Sequence, residues 1–184
     1  MKKQHWNLLL EPNMAAPTSG VYLLAIRNDN HISYECRKMN EGDSFYGAIG
    51  ASPSHDPRDW YVPIAYHFCN EYNYCTELNA NPSVTKNSWY QCNSDFGKDG
   101  IRVIAFTVNG VLKYDFIYRD NCVSFAKRNS LTYRDGHLQT LYLDEYVDEE
   151  EEIKLVAYHY VDIFGEQGHS YWWDEYLKIH SSHQ

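Results

Sequence analysis

The sequence lacks the short motifs that identify the commonest catalytic mechanisms. It has no Gly-x-x-x-x-Gly-Lys-Ser/Thr phosphate loop, no Gly-x-Gly-x-x-Gly dinucleotide loop, no Gly-x-Ser-x-Gly nucleophile turn and no His-Glu-x-x-His zinc motif. The Asp-x-Asp-x-Asp-Gly spacing of an EF-hand calcium loop is also missing. The usual support for a nucleotide-dependent enzyme, a serine hydrolase, a zinc protease or a calcium sensor is therefore absent.

Long hydrophobic runs and paired cysteines are missing as well. Near the N-terminus the only apolar run is three leucines, residues 8–10, which is too short for a signal peptide. No stretch reaches the length of a transmembrane helix. The cysteines number five and have no regular spacing. We therefore expect reduced thiols in a cytoplasmic protein that has no membrane partner.

Metal ligands at short spacing occur at one place, where His67 and Cys69 are followed by Cys75. A structural zinc site needs four ligands, typically supplied as paired Cys-x2-4-Cys or His-x3-5-His units. Neither kind of pair is present. The spacing therefore predicts no metal site, and no other cofactor is expected.

Positive charge is scarce, since 16 Lys and Arg residues stand against 25 Asp and Glu residues and give a net charge of -9. Proteins that bind nucleic acid by neutralising phosphates have the opposite balance, so direct nucleic-acid binding is not expected. Aromatic residues are abundant, with 17 Tyr and 5 Trp. Such residues suit β-sheet faces and protein interfaces equally well.

The chain contains the same strand-turn-strand pattern twice. Residues 20–26 align with residues 100–106 without a gap, and after an insertion residues 64–68 align with residues 156–160. Internal self-similarity predicts two supersecondary units of the same kind that pack against each other. We therefore predict a β-rich α+β fold made of two tandem modules packed as one body.

The predicted modules are residues 1–79 and residues 80–184, each built on an antiparallel β-hairpin plus a further strand. The second module also carries an acidic loop and an aromatic C-terminal segment. Its hairpin is the clearest element, because Asn109-Gly110 is the preferred pair for a two-residue type I′ turn. The predicted hairpins pair residues 21–26 with 31–38 and residues 102–108 with 111–118.

Other segments are assigned by composition. Residues 60–68 and 153–164 are predicted strands, and residues 40–58 are predicted to form a long loop because Gly, Ser and Pro are frequent there. Residues 172–179 fit either a short amphipathic helix or a last strand. Their aromatic side chains are expected to fill the core of the second module; they are Trp172, Trp173 and Tyr176.

The two modules share one order of features: a Trp, a strand, a turn, a strand with a Tyr, and a hydrophobic closing strand. The Trp and Tyr are Trp6 and Tyr34 in the first module and Trp89 and Tyr114 in the second. This order resembles a small domain of unknown function that is frequent in phage and prophage proteins, although neither module has that family's Pro-Leu-Pro ending. The resemblance implies a phage or mobile-element setting and a small mixed β fold, and it implies no known activity.

Seven carboxylates occupy nine positions in residues 144–152. A block of like charge is typical of a solvated loop. It also fits a surface that imitates nucleic-acid phosphates and occupies a basic groove on a host enzyme. The candidate partner-binding residues are Asp144, Glu145, Asp148, Glu149, Glu150, Glu151 and Glu152.

A repeated Ala-Tyr-His motif defines the second candidate site, an inter-module cleft containing Tyr66, His67, Tyr158 and His159. Two neutral imidazoles in one cleft would be available as general bases or metal ligands. The simpler interpretation is strand alternation, with one residue of each Tyr-His pair packed and the other exposed. No partner acid or nucleophile is identifiable, and we therefore favour a protein that is not an enzyme.

The hypothesis that these features favour is a non-enzymatic interaction protein encoded by a phage or mobile element. It would bind, and inhibit, a host or defence protein such as a nucleic-acid-binding enzyme with a basic groove. The first alternative is a small enzyme or ligand-binding protein that uses the inter-module cleft. The second is a structural virion or scaffold component.

Overall fold

The computed structural model describes residues 6–29, 31–52, 61–73, 89–91, 100–118, 131–134, 136–140 and 153–181. The chain divides into two compact units: unit 1 comprises residues 1–70 and 162–184, and unit 2 comprises residues 71–161. Within the described ranges there are ten strands and two helices, and the sheets are antiparallel. Neither helix has the length and apolar character that crossing a membrane requires.

Unit 1 is built on a four-stranded sheet with the order β1-β4-β2-β3. The central strand β2 is buried from Gly20 to Ile26, as its continuous apolar sequence predicts for a strand covered on both faces. On either side of β2 lies a strand of the same length, nine residues, and one edge of the sheet is a strand of two residues. The four strands are β1 (Asn7–Leu8), β2 (Gly20–Asn28), β3 (His31–Met39) and β4 (Tyr61–Cys69).

A short helix, α1 (Phe45–Ala48), covers part of this sheet. It begins after Ser44, whose Oγ accepts a hydrogen bond from the backbone N–H of Gly47 at 3.2 Å. The Phe45 ring lies 5.5 Å from the Tyr22 ring and 4.7 Å from the Tyr66 ring. The prediction of an uninterrupted loop over residues 40–58 was therefore wrong at this point, because a serine cap and one buried aromatic residue suffice for a single helical turn.

Helix α2 (Gly165–His180) completes unit 1. Trp172 is 1% exposed and donates from Nε1 to the backbone oxygen of Leu9 at 2.9 Å. A ring nitrogen of His180 lies 3.1 Å from the backbone oxygen of Leu10. The C-terminal aromatic segment is thus a helix, and Trp172 fills the core of unit 1 instead of the predicted second module. An amphipathic pattern reveals which face of a helix is apolar, but it does not say which core receives that face.

Unit 2 is built on a second four-stranded sheet, with the order β5-β10-β6-β7. A separate two-stranded hairpin packs on it through Tyr133 and Leu138, which contact the cluster around Ile104 and Phe106. The central strand β6 is buried along its whole length. The strands are β5 (Tyr90–Gln91), β6 (Ile101–Val108), β7 (Val111–Tyr118), β8 (Leu131–Arg134), β9 (His137–Thr140) and β10 (Ile153–Val161).

The two large sheets share one topology, in which the last strand of the sheet lies between the first and the second. Both also have a register shift at the same place. Ala25 pairs with Ala65 and Ala105 with Ala157, and beside each pair the strand has one extra residue, Ile64 or Val156. An extra residue of this kind is a β-bulge, which bends the strand and increases its twist.

Both predicted hairpins are confirmed, with β2 paired to β3 and β6 paired to β7 in full register. Asn109 and Gly110 have φ values of 50° and 82°, the positive values that a type I′ turn requires at both central positions. Three segments differ from the prediction. Strand β10 ends at Val161 rather than at residue 164, β1 was not predicted, and residues 162–181 belong to unit 1. The predicted boundary at residues 79 and 80 lies outside the described residues.

A close approach at the start of each central strand requires glycine. A Cβ atom added to Gly20 would collide with the ring of Phe68, and one added to Gly100 would collide with the ring of Tyr160. Phe68 and Tyr160 occupy equivalent positions in β4 and β10, each one residue before the end of its strand. In each sheet an aromatic ring therefore covers a glycine on the neighbouring strand.

The variant Gly20→Ala should lower the free energy of unfolding by about 1–3 kcal/mol, because the added methyl group overpacks a closed site. Gly47→Ala is the matched control. Gly47 is in helix α1, its added Cβ would meet no atom closer than 3.5 Å, and alanine there should raise stability by about 0.5–1 kcal/mol. Urea unfolding of both variants measures the difference. Equal stability of the two variants would contradict the packing described for Gly20.

Candidate functional site

The structure places the two Ala-Tyr-His motifs at equivalent positions in their own sheets. His67 is in β4 and is 5% exposed, and His159 is in β10 and is 1% exposed. The tyrosines point to the opposite faces, where Tyr66 packs on Tyr22 and Phe45, and Tyr158 stacks on Tyr90. Both faces of each strand are covered here, so neither histidine is exposed as simple alternation would allow.

In unit 1, His67 belongs to an aromatic cluster organised by Trp6. The Trp6 ring lies 6.0 Å from the His67 ring in an edge-on arrangement and 6.0 Å from the Tyr34 ring. The indole is fixed by a hydrogen bond from Nε1 to the backbone oxygen of Asp162 at 2.8 Å. The hydroxyl of Tyr34 accepts a hydrogen bond from the backbone N–H of Gly165 at 3.4 Å. The cluster thereby fastens the beginning of helix α2 to the sheet.

In unit 2, His159 belongs to a cluster of the same composition organised by Trp89. The Trp89 ring lies 5.6 Å from the His159 ring, again edge-on, and 6.0 Å from the Tyr114 ring. The hydroxyl of Tyr114 accepts a hydrogen bond from the backbone N–H of Tyr72 at 3.0 Å. Tyr72 also packs edge-on against Trp89 at 5.9 Å. The tryptophan, tyrosine and histidine of each sheet therefore have the same mutual contacts.

Burial limits what the two imidazoles can do in general acid-base chemistry. A general base must come within hydrogen-bond distance of the proton that it removes. At exposures of 5% and 1%, a substrate reaches His67 or His159 only if the surrounding side chains move. The described contacts suit a packing role for both histidines, and the proposed inter-module cleft that contains them stays a prediction.

Asp115 in β7 is a functional candidate that the sequence gave no reason to single out. It is 5% exposed, and its two carboxylate oxygens accept hydrogen bonds from the backbone N–H groups of Phe116 at 2.8 Å and Leu138 at 2.7 Å. His137 Nδ1 lies 3.6 Å from one of these oxygens. The carboxyl group thus anchors the β8-β9 hairpin to the sheet. The only sequence signal was an acidic residue in an apolar strand.

Burial raises the pKa of Asp115, and this effect outweighs the two backbone hydrogen bonds and the nearby His137, all of which lower it. A carboxyl group with a raised pKa binds its proton more tightly in the folded protein than in the unfolded chain. Relative to the protonated form, ionisation of Asp115 therefore lowers the free energy of unfolding.

The predicted acidic surface lies outside the described residues. Strand β9 ends at Thr140 and strand β10 begins at Ile153, so the acidic run belongs to the segment that connects them. Its members are Asp144, Glu145, Asp148, Glu149, Glu150, Glu151 and Glu152.

Comparisons with known proteins do not place the chain in a family. No family model, no curated protein and no solved structure matches it. The resemblance to the phage and prophage domain therefore stays a prediction, and arguments about function depend on the residues themselves.

The variant Asp115→Asn removes the buried charge while keeping the size of the side chain. Because the folded-state pKa is raised, the contribution of Asp115 to stability is complete below the ordinary carboxyl pKa of about 4 and is lost as the pH rises through the raised value. The free energy of unfolding of the wild type, relative to that of the variant, should therefore be greatest at about pH 4 and should fall as the pH rises toward 7.

Urea unfolding of both proteins across that pH range measures this difference. Asp162→Asn is the matched control, since the Asp162 side chain is exposed and its backbone oxygen, not its carboxylate, holds Trp6. A wild-type advantage over Asp115→Asn that does not change with pH would contradict the raised pKa.

Proposed function

We propose that this protein is a non-enzymatic interaction protein of phage or mobile-element origin that acts in the cytoplasm. It binds, and inhibits, a host or defence protein that has a basic groove, such as a nucleic-acid-binding enzyme. The observation that carries the proposal is the acidic run of residues 144–152 in a chain of net charge -9. A dense row of carboxylates matches the charge of a nucleic-acid backbone and would compete for the same groove.

The position of the acidic run in unit 2 supports this function. In the sequence the run lies between two strands of one compact unit, with β9 before it and β10 after it. A segment with two fixed ends loses less conformational entropy on binding than a free tail of the same composition. The charged run is therefore suited to specific recognition as well as to long-range attraction.

Exposed apolar side chains provide a second kind of contact surface. On helix α2, Tyr171 is 56% exposed, Leu177 is 41% exposed and Ile179 is 39% exposed. At protein interfaces, aromatic residues are enriched and contribute much of the binding energy where they are buried by the partner. We assign these residues to contacts that add affinity once electrostatic attraction has brought the partner close.

We further propose that the two β-sheet modules arose by tandem duplication. Four features support a common origin: the shared strand order, the bulges at Ile64 and Val156, the aromatic rings over Gly20 and Gly100, and the matching clusters around Trp6 and Trp89. Unrelated sheets would have little reason to share all four. Only the module with the acidic run then has the proposed binding function, so duplication left the first module free to differ.

Replacing Glu149, Glu150, Glu151 and Glu152 with Gln should weaken partner binding and reduce its dependence on salt. An exposed ion pair contributes about 0.2–1 kcal/mol, so the loss of four charges should lower affinity by roughly fourfold to several hundredfold. The measurement is an affinity pull-down from nuclease-treated host lysate at low and moderate salt, followed by identification of the partner and titration with the purified partner.

A control variant loses the same number of charges elsewhere, at four exposed acidic residues of unit 1. They are Glu11, Asp29, Glu41 and Asp162, which lie outside helix α2, and each is replaced by its amide. This control should bind the partner with nearly unchanged affinity. Equal affinity and equal salt dependence of the two variants would contradict the proposal. So would recovery of the protein alone, which would favour small-molecule binding or, if it self-assembles, a structural component.

A further inference from the structure

Strand β4 presents two metal-ligating side chains on one face. His67 and Cys69 are two residues apart, so alternation directs both to the same side of the sheet. A ring nitrogen of His67 and the Sγ atom of Cys69 lie within 4.8 Å of each other. The two side chains are 5% and 1% exposed, respectively. An imidazole and a thiol are thus held together in a site with little access to water.

On the side of strand β2 the neighbours of this pair are apolar. His67 lies directly opposite Leu23, and Cys69 lies directly opposite Val21. Both of these neighbours have no exposed surface. Strand β2 therefore packs only hydrocarbon side chains beside the sulfur and the ring nitrogen. Such neighbours exclude water and strengthen the bond between a metal ion and its ligands.

Strand β10 has the same sequence pattern with one chemical difference. Its Tyr158-His159 corresponds to Tyr66-His67, but Val161 stands where β4 has Cys69. Val161 is 1% exposed, as Cys69 is, so the fold fills this position equally well with an aliphatic side chain. The thiol in β4 is therefore not required for packing, and it adds a capability for coordination that β10 lacks.

We propose that His67 and Cys69 form the primary ligands of a site for a soft or borderline transition-metal ion, Cu(I) or Zn(II). A thiolate and an imidazole are the ligands that these ions prefer. Metal–nitrogen and metal–sulfur bonds of about 2.0 and 2.3 Å place the two donor atoms about 3.6 Å apart at a tetrahedral angle. The two donor atoms lie within 4.8 Å of each other, so rotamer adjustments that bring them at most about 1.2 Å closer give this separation.

The binding step is balanced by the release of one proton. The species of cysteine that binds a metal ion is the thiolate. The incoming ion therefore forms a bond to the sulfur of Cys69 as the S–H bond breaks, and the proton leaves to solvent.

Spacing alone predicted no metal here, because a structural zinc site was expected to show two paired ligand motifs in the sequence. On a strand, a His-x-Cys unit also brings two ligands together, since residues i and i+2 point to the same face of the sheet. Any further ligands that Zn(II) requires would come from elsewhere in the chain or from solvent. Cu(I) is satisfied by fewer ligands than Zn(II).

The test uses the full, reduced chain under anaerobic conditions, with Zn(II), Cu(I) and the spectroscopic substitute Co(II) as probes. Competition with a chromophoric chelator gives affinity, and near-ultraviolet thiolate-to-Co(II) charge transfer reports a metal–sulfur bond. We expect one ion per chain. The variants Cys69→Val, which copies the residue of β10, and His67→Phe should each weaken binding more than the roughly 10–100-fold typical of second-layer changes.

Cys36→Ser is the matched control, because Cys36 lies on strand β3, which β2 separates from β4, and is only partly buried. It should retain both the affinity and the charge-transfer band. The proposal is overturned if the wild type binds none of the three ions, if Cys69→Val retains the band, or if Cys36→Ser loses it. X-ray absorption of the metal-loaded wild type gives a second answer that does not depend on whether a variant folds. A ligand shell with sulfur and imidazole supports the site, and a shell of oxygen alone overturns it.

Discussion

The burial of both faces of strands β2 and β6 is the constraint on which the rest of the structure depends. A four-stranded sheet with an apolar central strand cannot leave either face in water, so each unit must supply two coverings. In unit 1 these coverings include helix α1 with Phe45, and Trp6 packed against Phe164, the residue just before helix α2. In unit 2 they include the β8-β9 hairpin and the segment around Trp89. The large number of aromatic residues follows from this need, because short segments can cover a sheet only with large side chains.

The two units cover one face of the sheet with the same side-chain contact and the other face with different structural elements. On one face a tryptophan lies edge-on to a histidine in both sheets, at 6.0 Å in unit 1 and 5.6 Å in unit 2. In unit 2 the β8-β9 hairpin is instead held by a buried carboxylate of strand β7, Asp115, which accepts one backbone hydrogen bond from Phe116 and one from Leu138 of the hairpin. A polar anchor of this kind specifies where the hairpin docks, at the cost of desolvating a charge. Similarity between the modules is therefore strong in the sheets and weak in what covers them.

The hairpins could be predicted from the sequence because their signals are local. Asn109-Gly110 specifies its turn through φ alone, and the apolar runs beside it specify the strands. The sequence could not predict which core contains Trp172, because this depends on which of the two sheets leaves space for the indole ring. Asp115 was missed for a related reason: its partners, Leu138 and His137, are more than twenty residues away. The pairing of His67 with Cys69 was visible as a spacing, but its burial and its apolar surroundings depend on β2.

The division of unit 1 into two sequence segments has a consequence for how the chain folds during synthesis. All the strands of unit 2, residues 71–161, leave the ribosome before helix α2 does. Until then the backbone oxygen of Leu9 has no indole to bind, and the sheet of unit 1 lacks one of its coverings. The module that begins first is therefore completed last. A nascent chain passes through an interval in which apolar surface of unit 1 is available to chaperones, and the delay lasts for the translation of about half the protein.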